Sequence, residues 1–237
     1  MYNLKMEFTK SLIKGKLIKR YKRFFVDVEI STGIVTAHCP NTGSMQGLLS
    51  EGNEVYLLKN NNPKRKLKYG LEIIKAKGNL VGVNTHMANK IAYHGLSNNL
   101  IKELKNYDII KPEVFFNKET RFDFLIQKKY QKTFVEVKNV TLFRDQNTAE
   151  FPDAITSRGS KHLLTLIDAI NKGYKAYLLF LVQIQNMKNF KIAKDIDSEY
   201  YKNYLIAKKA GVIFLAYRCE ISSKKIYINK KLKIING

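Results

Sequence analysis

Two short stretches decide how this chain folds: Arg121-Phe122-Asp123-Phe124-Leu125 and, in the next apolar run, Val135-Glu136-Val137-Lys138. Each is predicted to be a strand, and the short separation favours an antiparallel pair. Residues two apart on a strand share a face. Glu136 and Lys138 therefore point to one side, while the two valines of the second stretch point to the other. If the strands pair, Asp123 converges on the same site as Glu136 and Lys138.

These three side chains have the chemistry of a metal-assisted phosphodiesterase site. Asp123 and Glu136 would bind a divalent ion, Mg²⁺ or Mn²⁺, against a phosphodiester, and Lys138 would act beside it. Glu119 would add a fourth group if a bulge or turn brings it to the metal. The alternative is that the charged face of the strand simply lies in solvent, because a Glu-x-Lys pair is common by chance. The apolar flanks and the helix that follows favour the site.

The region after residue 83 is predicted to be a mixed α/β domain. Apolar positions at helical spacing predict a helix over 85–105, starting at Thr85, and another over 157–171. Asp197 is predicted to cap a third helix that ends before Gly211. The run 174–182 is apolar enough for a central strand covered on both faces. Further strands are predicted at 114–116, 122–126, 133–140 and 212–217.

The region before residue 83 has a different texture. Residues 24–30 alternate apolar and charged side chains, which is typical of a half-buried strand. Turn residues separate this strand from three further strand candidates, at 34–37, 54–58 and 70–75. Short strands at this spacing favour a small barrel of the OB type. We therefore predict two domains, 1–82 and 83–237, an OB-like β-barrel followed by a mixed sheet flanked by helices.

The composition points to a polyanionic partner. The chain has 42 Lys plus Arg and 20 Asp plus Glu, a net charge of +22 in 237 residues. Such a field favours nucleic acid through counterion release. A membrane surface is the weaker choice, because no basic amphipathic helix stands out. The start lacks the apolar stretch of a signal peptide, so we expect a cytoplasmic protein. Cys39 and Cys219 lie far apart and are expected to be free thiols.

Three local stretches are candidates for phosphate contacts. The first mixes cations with aromatic rings at 20–24, and the second places four cations at 64–68, just before a strand. The third lies at the start of the 157–171 helix, where the helix dipole also attracts anions and where His162 lies. The turn 41–45 offers backbone amides to an anion, although a plain turn fits it better. The candidate nucleic-acid-binding residues are Arg20, Lys22, Arg23, Lys64, Arg65, Lys66, Arg158 and Lys161.

The chain resembles the SfsA family, named for sugar fermentation stimulation protein A, and the Asp…Glu-x-Lys order resembles the PD-(D/E)xK nuclease fold. The resemblance implies an N-terminal OB-like domain, a C-terminal nuclease-like domain and DNA binding. The matching words run nearly end to end: Arg20-Tyr21-Lys22-Arg23-Phe24, His38-Cys39-Pro40-Asn41-Thr42-Gly43-Ser44-Met45, Asn62-Pro63-Lys64-Arg65-Lys66, Val81-Gly82-Val83-Asn84-Thr85, Arg121-Phe122-Asp123-Phe124, Val135-Glu136-Val137-Lys138-Asn139-Val140-Thr141-Leu142, Phe151-Pro152-Asp153-Ala154 and Arg158-Gly159-Ser160-Lys161-His162-Leu163.

Two departures from the nuclease motif leave the reaction open. Phe122 stands where the motif's name has proline, and Pro152-Asp153 follows Glu136 instead of preceding it. We interpret 151–154 as a loop leading into the next helix. Three functions remain: a metal-dependent nuclease acting on single- or double-stranded DNA, a non-enzymatic DNA-binding regulator that keeps the fold, and an RNA-processing enzyme. The link to sugar metabolism comes from the family name alone.

Overall fold

The computed structural model describes residues 6–236. Its N-terminal part is a barrel in which the predicted strands alternate buried and exposed side chains. Antiparallel pairs run in the order β3-β2-β1-β4-β5, and a parallel contact between β3 and β5 closes the ring. The OB-type barrel is therefore confirmed. Its strands are β1 (Ile13–Tyr21), β2 (Phe25–Ile30), β3 (Gly33–His38), β4 (Glu54–Lys59) and β5 (Tyr69–Ala76), and β6 (Asn79–Gly82) pairs antiparallel with β5.

A glycine allows β1 to serve two neighbours. Gly15 lies opposite Ile30 of β2 and opposite Val55 of β4. A Cβ at this position would lie 2.5 Å from a methyl group of Val28 and 2.6 Å from the carbonyl oxygen of Glu29. No larger side chain fits that approach, so the curvature that closes the barrel depends on this residue.

The C-terminal part is built on a six-stranded mixed sheet in the order β15-β14-β12-β9-β8-β7. The central strands β9, β12 and β14 are parallel, and β7, β8 and β15 add antiparallel edges. This confirms the predicted mixed sheet flanked by helices. The elements are α1 (Ala88–Ser97), β7 (Ile109–Phe115), β8 (Arg121–Lys128), β9 (Gln131–Val140), α2 (Ser157–Asn171), β12 (Lys175–Val182), α3 (Ser198–Lys209), β14 (Ile213–Ile221) and β15 (Ile226–Lys231).

A small second sheet was not predicted from the sequence. It has four short strands in the order β10-β11-β13-β16, and only the contact between β10 and β11 is antiparallel. The Phe151 end of β11 leads through the predicted loop to α2. The strands are β10 (Leu142–Phe143), β11 (Thr148–Phe151), β13 (Asn189–Ile192) and β16 (Lys233–Ile234).

The helix predicted over 85–105 is wrong in length. Residues Thr85–Met87 form a 3-10 turn, for which Asn84 supplies the capping oxygen, and α1 ends at Ser97. Asn99 adopts a left-handed conformation with φ 55°, which asparagine tolerates better than most residues and which stops the helix. Leu104, predicted as a core position, is fully buried although it lies beyond the helix.

The apolar interior has two parts, one on each face of the large sheet. One cluster packs α1 against the sheet through residues such as Ile91 and Leu96. The other lies under α2 and α3 and continues without a break into the barrel, where Leu17 and Val26 belong to it. The boundary between residues 82 and 83 stays a prediction, and the two halves share one hydrophobic cluster. No helix in the range 6–236 is long and apolar enough to cross a bilayer.

A buried glutamate marks the end of the barrel nearest the sheet domain. Glu72 of β5 is buried, and Asn84 Nδ2 donates to both of its carboxylate oxygens at 3.0 and 2.9 Å. Burial raises the pKa of Glu72 from its ordinary 4.5 to about 7. The folded state therefore holds this proton more tightly than the unfolded state does. The free energy of unfolding consequently falls as the pH rises from the ordinary pKa of 4.5 to the folded-state pKa of about 7.

We expect Glu72→Gln to raise the free energy of unfolding by about 1–2 kcal/mol at about pH 8 and by much less at about pH 5. Gln cannot ionise, so it escapes the desolvation of the carboxylate, although one contact with Asn84 is weakened. Urea unfolding of both proteins at both pH values measures the effect. Glu51→Gln, in an exposed loop, is the control. An equal gain at the two pH values would contradict the assignment.

Candidate active site

Asp123 lies at an irregular point of β8. The neighbouring side chains of Phe122 and Phe124 are both buried, but on opposite faces of the sheet. Phe122 packs in the cluster under α2 and α3, and Phe124 packs in the cluster under α1. The pairing of β7 with β8 on either side of Asp123 puts it opposite Glu113, whose φ is 55°. The pairing of β8 with β9 begins at Phe124, one residue after Asp123, and joins Phe124 to Val135, which puts Glu136 on the other side of Asp123. Three acidic residues thus lie in a row across three adjacent strands.

Asp123 is held by two hydrogen bonds, and no cationic side chain within residues 6–236 is bonded to it. Asn89 Nδ2 donates to Oδ1 at 2.7 Å, and the backbone N–H of Val137 donates to Oδ2 at 2.7 Å. Burial and, after it, the charge of Glu136 raise the pKa of Asp123 to about 6, and the two hydrogen bonds and the charge of Lys138 oppose this rise. A positive charge bound beside Asp123 would favour the ionised form of its carboxylate.

Glu136 is the most buried member of the site, with 2% of its surface exposed. Its Oε1 accepts a hydrogen bond from Lys138 Nζ at 2.8 Å and also contacts His162 Nδ1. Burial alone would raise the pKa of Glu136, but the hydrogen bond with His162 and the charge of Lys138 hold it below its ordinary value. Its other oxygen, Oε2, is buried and has no hydrogen-bond partner among the residues that the structure describes. Such an atom is costly to leave unsatisfied.

His162 is a site residue that the sequence analysis placed only at a helix start. It lies on the first turns of α2, and its Nε2 lies 3.4 Å from Arg158 Nε. If Nε2 accepts from Arg158, the ring proton is on Nδ1 and is donated to Glu136. His162 and Lys138 then both bond the same carboxylate oxygen, with Lys138 Nζ 3.3 Å from His162 Nδ1, and Oε2 is left as the other oxygen.

The donor set fits a magnesium-like ion. Mg²⁺ is commonly held by one or two carboxylates with water completing its shell. Asp123 and Glu136 supply two carboxylates, and the unpartnered Oε2 of Glu136 gives the ion a ready ligand. Within residues 6–236 no group of three or more His, Cys, Asp or Glu side chains is arranged around one point. Glu119 lies exposed in the β7–β8 turn on the wall of the same cleft, so its role as a ligand stays a prediction.

The three residues open into a cleft of about 780 Å³. Arg158 and Lys161, predicted as phosphate contacts, lie in its wall together with Glu119 and the site. The structure also adds groups that the sequence analysis did not single out. These wall residues are Asn89, Glu113, Phe115, Thr120, Arg121 and Val137, and His162 joins them from the start of α2.

The remaining basic candidates lie elsewhere. Arg20 donates to the backbone carbonyls of Arg23, Asn41 and Gly43, so its guanidinium organises the barrel loops. Arg20 and Arg23 line a separate cavity of about 560 Å³ between the barrel and the segment 151–156. Lys22 lies next to Arg23 in the exposed β1–β2 turn, and Lys64, Arg65 and Lys66 lie exposed between β4 and β5.

The turn 41–45 binds a carboxylate from another part of the same chain. Asp153 Oδ2 accepts from Ser44 Oγ at 3.2 Å and from the Met45 N–H at 3.4 Å. A Cβ at Gly43 would lie 2.6 Å from that same oxygen. The backbone amide that the sequence offered to an external anion is therefore used by a carboxylate from the loop before α2. This contact joins the barrel to the sheet domain.

The fold and the site define the class: an OB barrel joined to a mixed sheet that carries a carboxylate pair and a lysine on two adjacent strands. Sequence comparison agrees with this class. The profile described as "SfsA N-terminal OB domain" matches residues 18–83, and the one described as "Sugar fermentation stimulation protein RE domain" matches residues 86–225. The chain belongs to the sugar fermentation stimulation protein family, SfsA.

Relatives match over nearly the whole chain. A sugar fermentation stimulation protein homolog of Pelagibacter ubique is 76% identical over 232 residues, covering 98% of this chain and 100% of its own. The homolog of Pseudoalteromonas atlantica is 45% identical over 234 residues, covering 97% and 100%. The structure of Pyrococcus furiosus SfsA in complex with Ca²⁺ superimposes with a TM-score of 0.86 at 27% identity, covering 98% of this chain and 99% of the other.

Proposed function

We propose that the chain is a divalent-metal-dependent phosphodiesterase that cleaves DNA. The observation that carries this proposal is the convergence of Asp123, Glu136 and Lys138 in one cleft, with Glu136 Oε2 buried and unpartnered. If Glu136 only formed an ion pair that stabilises the fold, we would expect a hydrogen-bond donor on that oxygen as well, because buried polar atoms are normally hydrogen-bonded. The solved structure of the Pyrococcus furiosus relative is a complex with Ca²⁺, which supports a cation-binding role for this family.

Each residue has a role that follows from its contacts. Asp123 and Glu136 would hold Mg²⁺ or Mn²⁺ in the cleft. The bound ion would polarise the phosphoryl oxygens and lower the pKa of a water molecule. Lys138, whose Nζ lies 2.8 Å from Glu136, would orient that water or stabilise the charge that develops on the phosphate. His162 would keep the Glu136 carboxylate in one orientation.

The charge of the protein supports a polyanionic substrate. The chain carries a net +22, and Arg158 and Lys161 lie in the wall of the cleft that holds the carboxylates. These cations would offset the repulsion between a phosphodiester and the acidic pair. DNA, single- or double-stranded, is the substrate in this proposal, RNA is the alternative, and the protein would act in the cytoplasm.

The test is a nuclease assay on single-stranded DNA, duplex DNA and RNA with Mg²⁺, Mn²⁺ or EDTA. Wild-type protein is expected to cleave only with metal, and Lys138→Met to lose most of that cleavage while still binding the substrate. Lys128→Met, on the far end of β8, is the control that removes a cation without touching the site. Equal cleavage by Lys138→Met and wild type would overturn the role of Lys138.

A non-enzymatic DNA-binding regulator is the second candidate. The observation in its favour is the positive charge, which does not depend on the carboxylates. Its targets, genes of sugar metabolism, follow only from the family name. This reading predicts no cleavage with any metal and binding that weakens steeply with salt, both in the wild type and in the carboxylate variants.

A further inference from the structure

An exposed aromatic ring stands in the wall of the cleft. Phe115, the last residue of β7, is 68% exposed. The adjoining Phe116 turns inward and contacts the rings of Phe122, Phe134 and Tyr174, with centroids 5.2–6.5 Å apart. The backbone is thus anchored by Phe116, and the neighbouring ring of Phe115 is presented to solvent on a fixed support.

A chain of polar contacts connects this ring to the acidic site. The guanidinium carbon of Arg121 lies 5.6 Å from the centroid of Phe115, within the range of a cation–π contact. Arg121 Nε lies 2.8 Å from Glu113 Oε2. Asn89 Nδ2 bonds both Glu113 Oε1, at 3.1 Å, and Asp123 Oδ1. The position of the Phe115–Arg121 pair is therefore fixed relative to Asp123.

We infer that Phe115 and Arg121 form a stacking platform for an unpaired base, so that the cleft takes single-stranded nucleic acid. This inference rests on the proposed function, because it names the substrate form of the same cleft. Every base has a flat face that can stack on an aromatic ring, whereas a base inside a duplex has both faces covered by its neighbours. A phosphate at Asp123 and Glu136 would then have a flanking base on Phe115.

Exposure alone does not carry the inference. Single exposed apolar residues are normal on protein surfaces, and Tyr130, at 98%, is more exposed than Phe115. Tyr130 lies in the β8–β9 turn, at the opposite end of β8 from Asp123, and lines a different cavity. What distinguishes Phe115 is its place in the wall of the acidic cleft, together with the cation over its ring. Tyr130→Ala is therefore a matched control.

The test is binding without metal, measured by fluorescence anisotropy in EDTA at one fixed salt concentration. The probes are an oligothymidylate of about 16 nucleotides, an abasic strand of the same length and a duplex. Phe115→Ala is expected to weaken binding of the oligothymidylate by about tenfold, in line with the loss of one stacked base. It should leave the abasic strand and the duplex nearly unchanged, and Phe115→Tyr should bind like wild type.

Two results with Phe115→Ala would overturn the platform: an unchanged affinity for the oligothymidylate, or the same loss on all three probes. A loss as large in Tyr130→Ala would also overturn it, because the effect would then belong to exposed rings in general. The assay needs no cleavage, so its outcome is separate from that of the nuclease test. A protein that stacks bases but cleaves nothing would retain the platform and lose the proposed activity.

Discussion

Asp123→Asn is expected to lose cleavage by a factor of about a hundred or more, while the metal-free protein becomes more stable. Losing one of two metal-holding carboxylates removes several kcal/mol of transition-state stabilisation, which corresponds to that factor. The gain in stability arises because burial and Glu136 raise the pKa of Asp123 to about 6. At neutral pH the folded protein therefore carries an unfavourable charge, which asparagine removes. We expect a net gain of about 1 kcal/mol after the weakened hydrogen bond from Val137.

Cleavage assays with Mg²⁺ and urea unfolding in EDTA measure the two effects on the same preparations. Substrate binding should persist or strengthen, because one like charge beside the phosphate is removed. Asp168→Asn, an exposed carboxylate on α2, is the matched control and should change neither property. A variant that cleaves normally and is less stable would show that Asp123 is a structural residue.

Arg144→Met should produce the largest loss of stability among the ion pairs. Arg144 follows β10, and its guanidinium bonds both oxygens of Glu150, which is 1% exposed, as well as Asp195. Of the described residues, Lys191 is then the one cation left in an ion pair with the buried carboxylate of Glu150, and its Nζ is 3.7 Å away. Unfolding free energy should fall by about 3 kcal/mol, because breaking a buried pair exposes the desolvation penalty of the remaining charge.

The double variant Arg144→Met/Glu150→Gln separates charge from packing. We expect it to recover part of the loss, because it removes the unpaired carboxylate. Lys14→Met breaks the exposed pair with Glu54 and should cost less than about 1 kcal/mol. Urea midpoints of the four proteins give the comparison. If the double variant is as unstable as Arg144→Met, the loss comes from packing of the arginine side chain.

The fold could be predicted where local signals agree with each other. The helix predicted over 157–171 matches α2, which Thr156 caps, and Asp197 caps α3 as predicted. The strand β1 was missed because only Gly15 and Leu17 among its residues are buried, too few to give an alternating pattern. The second sheet was missed because its strands have two to four residues, too short for any periodicity.

The site was predictable only as far as strand geometry reaches. Spacing along β8 and β9 brings Asp123, Glu136 and Lys138 together. Asn89 lies 34 positions before Asp123 and His162 lies 26 positions after Glu136, so their contacts depend on how helices pack on the sheet. The turn 41–45 shows the converse case, since its amide meets Asp153 from a segment 108 positions away. No local sequence pattern predicts contacts between residues so far apart along the chain.

The shared interior of the two halves has a consequence for how this protein can change. The change in sequence pattern near residue 83 suggests two exchangeable domains, but buried residues of the barrel and of the sheet domain pack in the same apolar cluster. A different barrel placed before residue 83 would need apolar side chains at the same contact with the sheet domain. It would also need a glycine where Gly43 meets Asp153. Substitutions at this contact are therefore constrained by the packing of both domains.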